Sequence, residues 1–252
     1  MHSPEVLLDD NDAVYDYYLR HQQNRWKALA SYAVLARRFR PRVTFAEGAK
    51  QQLKALIRSG RPVIYAINHL STSDPYTVAA TAWRSPLRSK IGRVRVLAKD
   101  ELFLDPEQRR KVDMMGGIPV FRGKDHGIRA VNAAGQRMMD VCAQRLADGD
   151  HLAIFPEGTC NEVDHTRVQA VGSGIGHIAF RAAKLDAAPA LVAIGINYGT
   201  YAAGVEPSAA EVVSGLAYFR APIRELPQRP ADIARLVKEE LQLAVDGAVA
   251  HY

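Results

Sequence analysis

Short apolar runs alternate along the chain with longer stretches in which apolar residues recur at helical spacing. The short runs predict strands at residues 43–45, 62–67, 94–98, 118–121, 151–155, 190–197 and 215–219. The amphipathic stretches predict helices at residues 11–40, 48–59, 74–83, 127–147, 174–185 and 230–249, and residues 204–208 are predicted to be a loop. This alternation predicts an α/β fold: a single layered domain with a mostly parallel or mixed sheet flanked by helices.

Length and composition fit one large domain with a helical appendage. The chain has 252 residues, of which 48% are hydrophobic. We expect residues 1–42 to lie outside the main domain, with a tail over the first ten residues followed by an amphipathic helical segment. Residues 43–252 are expected to form the main domain. The acidic N-terminus has no apolar core and no apolar run approaches the ~20 residues of a bilayer span, so we expect a soluble or peripheral protein. The two cysteines, Cys142 and Cys160, do not make a disulfide framework, which favours a reducing compartment.

The N-terminal helical segment is basic and aromatic. Seven Arg and Lys residues lie between Arg20 and Arg42, together with Trp26 and Phe39, and no acidic residue occurs until Glu47. Such a helix is typical of a membrane interface. The alternative is a helix that packs on the domain with a solvated basic face. The net charge of +6 also fits an anionic membrane or a phosphorylated substrate, whereas no nucleic-acid motif is recognised and no nucleic-acid partner is expected.

The candidate chemistry centres on the segment that follows the strand predicted at residues 62–67. His69 comes just after this strand, Asp74 follows five positions later, and Pro75 suits the first turn of a helix. A carboxylate that binds one imidazole nitrogen fixes the tautomer and raises the basicity of the other nitrogen. The segment therefore contains the simplest general-base unit.

Three later stretches occur in order after the His-x4-Asp unit: GGIPVFR at residues 116–122, IFPEGT at 154–159, and an apolar strand at 189–195. Together these four blocks resemble those of the glycerolipid acyltransferases, the lysophosphatidic acid acyltransferase-like family, over residues 43–198. Four blocks in order are far more specific than any one of them.

The resemblance implies transfer of a fatty acyl group from acyl-CoA or acyl carrier protein to a hydroxyl of glycerol-3-phosphate or lysophosphatidic acid. His69 would be the general base and Asp74 its orienting partner. No covalent intermediate, cofactor or metal is expected, and no Gly-x-Ser-x-Gly elbow is present. Two alternatives remain: another lipid head group as acceptor, such as a phosphatidyl-sugar or lysophospholipid, and a non-catalytic basic lipid-binding protein.

Arg122 occupies the position of the family's arginine after Gly-x-x-x-Phe, which implies binding of the acceptor's phosphate. Lys99 is a second candidate for this role. Glu157 and Gly158 stand in the Pro-Glu-Gly-Thr block, where Glu157 could bind the acceptor's hydroxyls or hold His69 and Arg122 in place. Thr159 belongs to the same block and is expected to cap a turn. The amides of Gly158 or of residues 116–117 could stabilise the oxyanion.

The sequence departs from the family at one point. After Pro-Glu-Gly-Thr the family usually continues Arg-Ser, and Cys160 and Asn161 stand there instead. One expected phosphate-binding cation is therefore missing, which leaves the acceptor's identity open, and Arg167 could substitute. No partner is assigned to Cys160, which is interpreted as a small filler. His126 is not favoured as an alternative base because no aspartate stands at useful spacing from it.

The resemblance also bears on location, because an N-terminal helical segment often seats members of this family on lipid. We therefore expect a cytoplasmic protein, peripheral on the inner face of the cell membrane. Its partners would be the acyl thioester, the phosphorylated glycerol or lysophospholipid acceptor, and the anionic membrane surface.

Overall fold

The computed structural model of the protein describes residues 3–199 and 207–252, so the first three residues of the loop predicted at 204–208 lie outside it. The strands are β1 (Arg42–Phe45), β2 (Val63–Ile67), β3 (Val94–Lys99), β4 (Gly117–Val120), β5 (His151–Ile154), β6 (Ala190–Asn197) and β7 (Leu216–Phe219). The helices are α1 (Asn11–Arg20), α2 (Arg25–Arg38), α3 (Ala49–Arg58), α4 (Asp74–Arg84), α5 (Pro106–Met114), α6 (Gly123–His126), α7 (Asn132–Ala147), α8 (Gly174–Lys184), α9 (Ala209–Val213) and α10 (Pro230–Ala250). Two 3₁₀ turns, Pro86–Lys90 and Asp100–Phe103, flank β3.

The strands of the described residues form one sheet in the order β1-β7-β6-β2-β5-β3-β4. The five strands from β6 to β4 are parallel, whereas β7 runs antiparallel to β6 and pairs in parallel with β1. The predicted α/β class and the mixed sheet flanked by helices are therefore confirmed.

The central strand β2 is buried on both faces, which explains its unbroken apolar sequence. Ile64 and Ala66 point into a core beneath α1, α7 and α8. Val63, Tyr65 and Ile67 point into a second core beneath α2, α3 and α4. Because successive strand residues point to opposite faces, one five-residue strand anchors both layers of helices.

The single helix predicted for residues 11–40 is wrong: it is two helices, α1 and α2, with a break at residues 21–24. The side chain of Asn24 caps α2 by accepting a hydrogen bond from the Lys27 amide at 3.1 Å. Tyr15 and Tyr18 of α1 lie in the core on one face of the sheet, and Tyr32 of α2 lies in the core on the other. A continuous helix cannot pack on both faces of one sheet, so the chain must break where it passes the sheet's edge.

Three further corrections concern local structure. The helix predicted at residues 127–147 begins at Asn132, and the residues of α6 form a separate short helix before it. A turn separates the two helices, and Gly127 adopts a positive φ of 87° there, a conformation that favours glycine. The tail predicted over the first ten residues packs on the domain, since Val6 is buried and Arg109 donates a hydrogen bond to the carbonyl of Pro4 at 2.6 Å.

Most apolar side chains of the N-terminal segment are packed against the core. Trp26 and Val34 are the large apolar residues of α2 that remain exposed, at 80% and 66%. Within the described residues no helix is long and apolar enough to cross a bilayer. The boundary expected at residue 42 stays a prediction.

Candidate active site at the carboxyl edge of the sheet

The sheet brings the ends of three neighbouring strands together. Strand β2 lies between β6 and β5, and all three are parallel, so their carboxyl ends meet at one edge. His69 follows β2, Phe155 and Glu157 follow β5, and Tyr198 follows β6. These residues therefore converge although up to 129 positions separate them in sequence.

His69 and Asp74 form the predicted pair. Nδ1 of His69 lies 2.8 Å from Oδ2 of Asp74, so Nδ1 carries the proton and Nε2 is the nitrogen with a lone pair. The Asp74 side chain is fully buried, whereas the His69 side chain is 18% exposed. Asp74 begins α4 with Pro75 directly behind it, so its carboxylate stands at a helix N-terminus, where negative charge is favoured.

The Asp74 carboxylate is held by donors besides the imidazole. Oδ2 accepts hydrogen bonds from the backbone amides of Leu70 at 2.6 Å and Ser71 at 3.0 Å. Oδ1 accepts from the hydroxyl of Tyr198 at 2.7 Å, and that hydroxyl also lies 3.0 Å from Oγ1 of Thr77. This network fixes the carboxylate and therefore the orientation of the His69 ring.

The backbone of His69 is held on both sides. Its amide donates to Oε1 of Glu157 at 2.9 Å, and its carbonyl accepts from the amide of Asn161 at 2.6 Å. The other carboxylate oxygen of Glu157 accepts from the amide of Gln169 at 2.8 Å. Phe155 stacks on the imidazole with ring centroids 4.4 Å apart. Glu157 thus ties the loop after β2 to the loops after β5.

Two pKa values follow from this environment. Burial lowers the pKa of His69, but its hydrogen bonds with Asp74 and Cys160, together with the charges of those two groups, outweigh burial and raise the pKa to about 9. Burial raises the pKa of Glu157, although the amides of Gln169 and His69 counteract it. The imidazole is therefore a stronger base than an exposed histidine.

The two predicted cations lie further along the same edge. Arg122 follows β4, which is separated from β2 by β5 and β3, and Lys99 is the exposed last residue of β3. Arg122 binds Asp125 at 2.6 Å, while its buried Nη1 has no hydrogen-bond partner among the described residues. The N–H groups of Nη1 are therefore not satisfied by any described residue, and neither cation hydrogen-bonds to His69.

The expected oxyanion donors are engaged within turns. The amide of Gly158 donates to the carbonyl of Phe155 at 3.1 Å, and the amide of Gly116 donates to the carbonyl of Asp113 at 3.0 Å. Gly158 has a φ of +71°, which explains glycine at this position. Thr159 is exposed. Roles of Gly158 and Thr159 in binding substrate stay predictions.

Two interpretations of single residues need correction. Cys160 has a partner, because its Sγ lies 3.5 Å from Nε2 of His69. His126 also has a carboxylate, because its Nε2 lies 2.7 Å from Oδ2 of Asp100. Both partnerships join residues that are distant in sequence, so spacing alone could not reveal them.

Tyr198 and Phe155 are site residues to which the sequence assigned no role, and Asn161 was noted there only as a departure from the family. Tyr198 directly follows the strand predicted at residues 190–197, and parallel pairing of that strand with β2 would have placed it near Asp74. The side chain of Asn161 accepts from the amides of Val163 and Asp164 at 3.2 Å. It organises the loop that carries Cys160.

The α/β sheet presents at its carboxyl edge a carboxylate-bound imidazole, an arrangement suited to general-base chemistry. A model of the acyltransferase family matches residues 40–196, which is more than half of the chain. The chain therefore belongs to the acyltransferase family and is, in general terms, an O-acyltransferase. No curated protein matches it. The described residues contain no group of three or more His, Cys, Asp or Glu side chains placed to hold a metal ion.

Proposed function

We propose that this protein transfers a fatty acyl group from acyl-CoA or acyl carrier protein to a hydroxyl of glycerol-3-phosphate or lysophosphatidic acid, in phospholipid biosynthesis. The observation that carries the proposal is the His69–Asp74 pair, whose 2.8 Å bond leaves Nε2 as the base. Nε2 accepts the hydroxyl proton while the oxygen attacks the thioester carbonyl, the bond from the carbonyl carbon to the donor sulfur breaks, and the donor leaves as a thiol with the proton returned from the imidazolium. Asp74 stabilises the imidazolium that forms. This chemistry requires neither cofactor nor metal.

The phosphorylated acceptor is supported by the cations at the same edge. The unpartnered Nη1 of Arg122 and the exposed Lys99 are donors suited to a phosphate. Arg167, the proposed substitute for the family's missing arginine, is exposed, and its carbonyl accepts a hydrogen bond from the side chain of Asn161 at 2.6 Å.

The proposed site for the acyl chain is a groove between α2 and α4. The groove has a volume of about 630 Å³ and begins at Ser73, the neighbour of Asp74. Its apolar lining comes from Val34, Leu35, Phe39, Tyr76, Met114 and Met115. The apolar lining of this groove, which reaches the residue before Asp74 in sequence, suits a fatty chain.

The test is a panel of reactions. A labelled acyl thioester, on CoA or on carrier protein, is incubated with glycerol-3-phosphate, lysophosphatidic acid, a zwitterionic lysophospholipid or a phosphatidyl-sugar, and esters are detected by mass spectrometry. We expect an ester with a phosphate monoester acceptor. If ester forms only on the other head groups, the proposed acceptor is wrong and one of the alternative acceptors replaces it. No ester at all, with lipid binding retained, would indicate a non-catalytic lipid-binding protein.

The proposed location is the inner face of the cell membrane, seated through α2. Trp26, Val34, Arg37 and Arg38 are all exposed on this helix. Each basic residue near an anionic surface contributes on the order of 1 kcal/mol, which salt screens. The apolar side chains add burial at the lipid boundary.

Flotation on anionic vesicles tests this seating. Replacing Arg37, Arg38 and Arg40 with Gln should reduce binding, as should high salt. The matched control replaces Arg229, Arg235 and Lys238 with Gln, at and within α10 on the opposite face of the sheet, and should leave binding largely unchanged. If the intact protein stays soluble at low salt, the enzyme must obtain its lipid from solution or from a partner.

A further inference from the structure

The helices on the two faces of the sheet differ in charge. Helices α2, α3 and α4 and the 3₁₀ turn Pro86–Lys90 cover one face, and α1, α7, α8 and α10 cover the other. Among these described elements the first set carries ten Arg and Lys residues, and its single acidic residue, Asp74, is fully buried. The second set carries seven basic and seven acidic residues. An anionic partner is therefore attracted to the first face, which we call the basic face.

The basic face contains a groove of about 690 Å³ between α2 and the C-terminal end of α4, which we call the basic groove. Its lining combines two arginines with apolar and aromatic side chains: Arg37, Arg84, Ala33, Val34, Ala36 and Trp83. The proposed acyl groove shares Val34 with it but is otherwise lined by different residues of α2. The two grooves are therefore separate binding surfaces on either side of Val34.

The cations at the basic groove are held by contacts with their surroundings. Nη2 of Arg84 donates a hydrogen bond to the carbonyl of Ala36 in α2 at 2.7 Å. The guanidinium carbon of Arg88, in the 3₁₀ turn that follows α4, lies 3.8 Å from the centroid of the Trp83 ring. A side chain that is already ordered loses less conformational freedom when it binds a ligand. Arg84 and Arg88 are therefore preorganised for an anion.

The composition of the groove fits one class of anion best. Guanidinium groups match the oxygens of a phosphate, and Arg37 and Arg84 line the same groove. The two alanines and Val34 offer apolar surface, which an inorganic phosphate would leave uncovered. Tryptophan is enriched at the boundary between water and lipid. A phospholipid supplies both parts, a phosphate for the arginines and hydrocarbon for the apolar wall.

We propose that the basic groove binds the head-group phosphate of an anionic phospholipid of the bilayer, so that α2 and the end of α4 lie on the membrane together. This inference rests on the proposed membrane location and does not depend on acyl transfer. Asp74 begins α4 and Arg84 ends it, so about 15 Å of helix separates the groove from the catalytic pair. The lipid in the groove is therefore an anchor and not the acceptor.

The chain contains its own reporter for this site. Trp26 and Trp83 are its two tryptophans, so Trp26→Phe leaves Trp83 as the single fluorophore, in the groove. This protein is titrated with dihexanoyl phosphatidylglycerol below its micelle concentration, in the absence of any acyl donor. We expect a saturable change in Trp83 emission. Dihexanoyl phosphatidylcholine and inorganic phosphate should each bind about 10-fold more weakly or worse, because one lacks the net negative charge and the other lacks the hydrocarbon.

Two adjacent arginines give a matched pair of variants in this background. Arg37 lines the basic groove, whereas Arg38 lines the proposed acyl groove, and both are exposed on α2. Arg37→Gln should raise the Kd for dihexanoyl phosphatidylglycerol by about 10-fold or more, as for the loss of a hydrogen bond to a charged group. Arg38→Gln removes the same charge and should change the Kd by less than about 3-fold. Arg84→Gln should resemble Arg37→Gln, and His69→Ala should resemble the parent protein.

The same variants are then compared by flotation on vesicles of phosphatidylcholine with phosphatidylglycerol. Arg37→Gln and Arg84→Gln should each reduce binding more than Arg38→Gln does. Equal losses in all three would overturn the inference, because a diffuse field would then account for the attraction. Circular dichroism checks that each variant is folded, and the titration of the parent protein does not depend on the folding of these variants.

The remaining outcomes separate the lipid from other occupants. No change in Trp83 emission with phosphatidylglycerol, or equal affinity for phosphatidylcholine, would overturn the inference. Inorganic phosphate binding as tightly as the lipid would replace it with a site for free phosphate. A response of Trp83 to acidic acyl carrier protein alone would replace it with a protein-docking face. A lipid site confirmed in these titrations would stand even if no acyl transfer were detected, so the two proposals can fail independently.

Discussion

Two histidine–aspartate pairs lie at the carboxyl edge of the sheet, and their hydrogen bonds are almost equal in length. The distance is 2.8 Å between His69 and Asp74 and 2.7 Å between His126 and Asp100. The pairs differ in how the carboxylate is held. Asp74 is fully buried, and Leu70, Ser71 and Tyr198 donate to it in addition to His69.

Asp100 is held less completely. Its Oδ1 is buried and has no hydrogen-bond partner among the described residues. His126 belongs to the four-residue helix α6 and is 31% exposed. We therefore expect that a short His–Asp distance is not sufficient for catalysis. A base must also be preorganised, and that requires a carboxylate fixed by its own network of donors.

The largest expected effect separates the two pairs directly. His69→Ala should lower acyl transfer by about 10²–10⁴-fold, because the general base is lost. His126→Ala removes no proposed proton transfer and should leave the rate within about 3-fold of wild type. Initial rates with a labelled acyl thioester measure both, and circular dichroism confirms folding. Equal losses in the two variants would place both pairs in the mechanism.

The carboxylates give the next contrast, because they act on the pKa of the base. Only neutral imidazole accepts a proton, so the wild-type rate should rise with pH and level off above about 9, the pKa of His69. Asp74→Asn removes groups that raise this pKa and leaves the burial that lowers it, so the inflection should shift to lower pH. The limiting rate should fall by about 100-fold or more.

Asp100→Asn is the matched control for this pH profile. It removes a carboxylate from the same edge of the sheet without touching the His69 network, so the profile should keep its inflection near pH 9. An unchanged inflection in Asp74→Asn would show that another group limits the rate.

The difference between the pairs also shows what the sequence could predict. His69 and Asp74 lie five residues apart at the end of an apolar strand, and this local signal, together with the three later blocks, singled them out. Strand β6 was predicted at its observed bounds, because a strand buried on both faces has a continuous apolar sequence. Local pattern thus predicts the strands, whereas the first pair needed the order of the four blocks as well.

What escaped prediction depends on contacts between distant residues. Tyr198 reaches Asp74 across 124 positions and Cys160 reaches His69 across 91. The break between α1 and α2 contains no proline or glycine and results from packing on opposite faces of the sheet. Such contacts leave no periodic pattern in the sequence, because they join residues that only the order of strands in the sheet brings together.

A smaller effect is expected at Arg122, which precedes the helix of the second pair. If this region binds the acceptor's phosphate, Arg122→Ala should raise the KM for the acceptor by about 10–100-fold, as for the loss of a hydrogen bond to a charged group. The KM for the acyl donor should change little. Arg129→Ala, at an exposed residue of the same loop, should change neither constant. Equal weakening of both substrates in Arg122→Ala would count against a phosphate role.

The smallest expected effect tests whether the additional donors on Asp74 matter at all. The Tyr198 hydroxyl donates to Oδ1 of Asp74 at 2.7 Å, and Tyr198 is buried. Tyr198→Phe removes this hydrogen bond and keeps the aromatic ring in place. A single net hydrogen bond contributes about 1 kcal/mol, so the rate should fall by about 3–10-fold if the carboxylate, and with it the imidazole, loses orientation.

Tyr15→Phe separates orientation from stability in this last test. The hydroxyl of Tyr15 is also buried and donates to the carbonyl of Pro119 at 3.1 Å, away from Asp74. Both variants should lose about 1 kcal/mol of unfolding free energy, measured by urea denaturation. Only Tyr198→Phe should also lose acyl-transfer rate. If both variants lose stability and neither loses rate, the hydrogen bonds to Asp74 contribute to folding alone. The difference between the two His–Asp pairs must then arise from how substrate reaches the imidazole nitrogen rather than from how firmly the carboxylate is held.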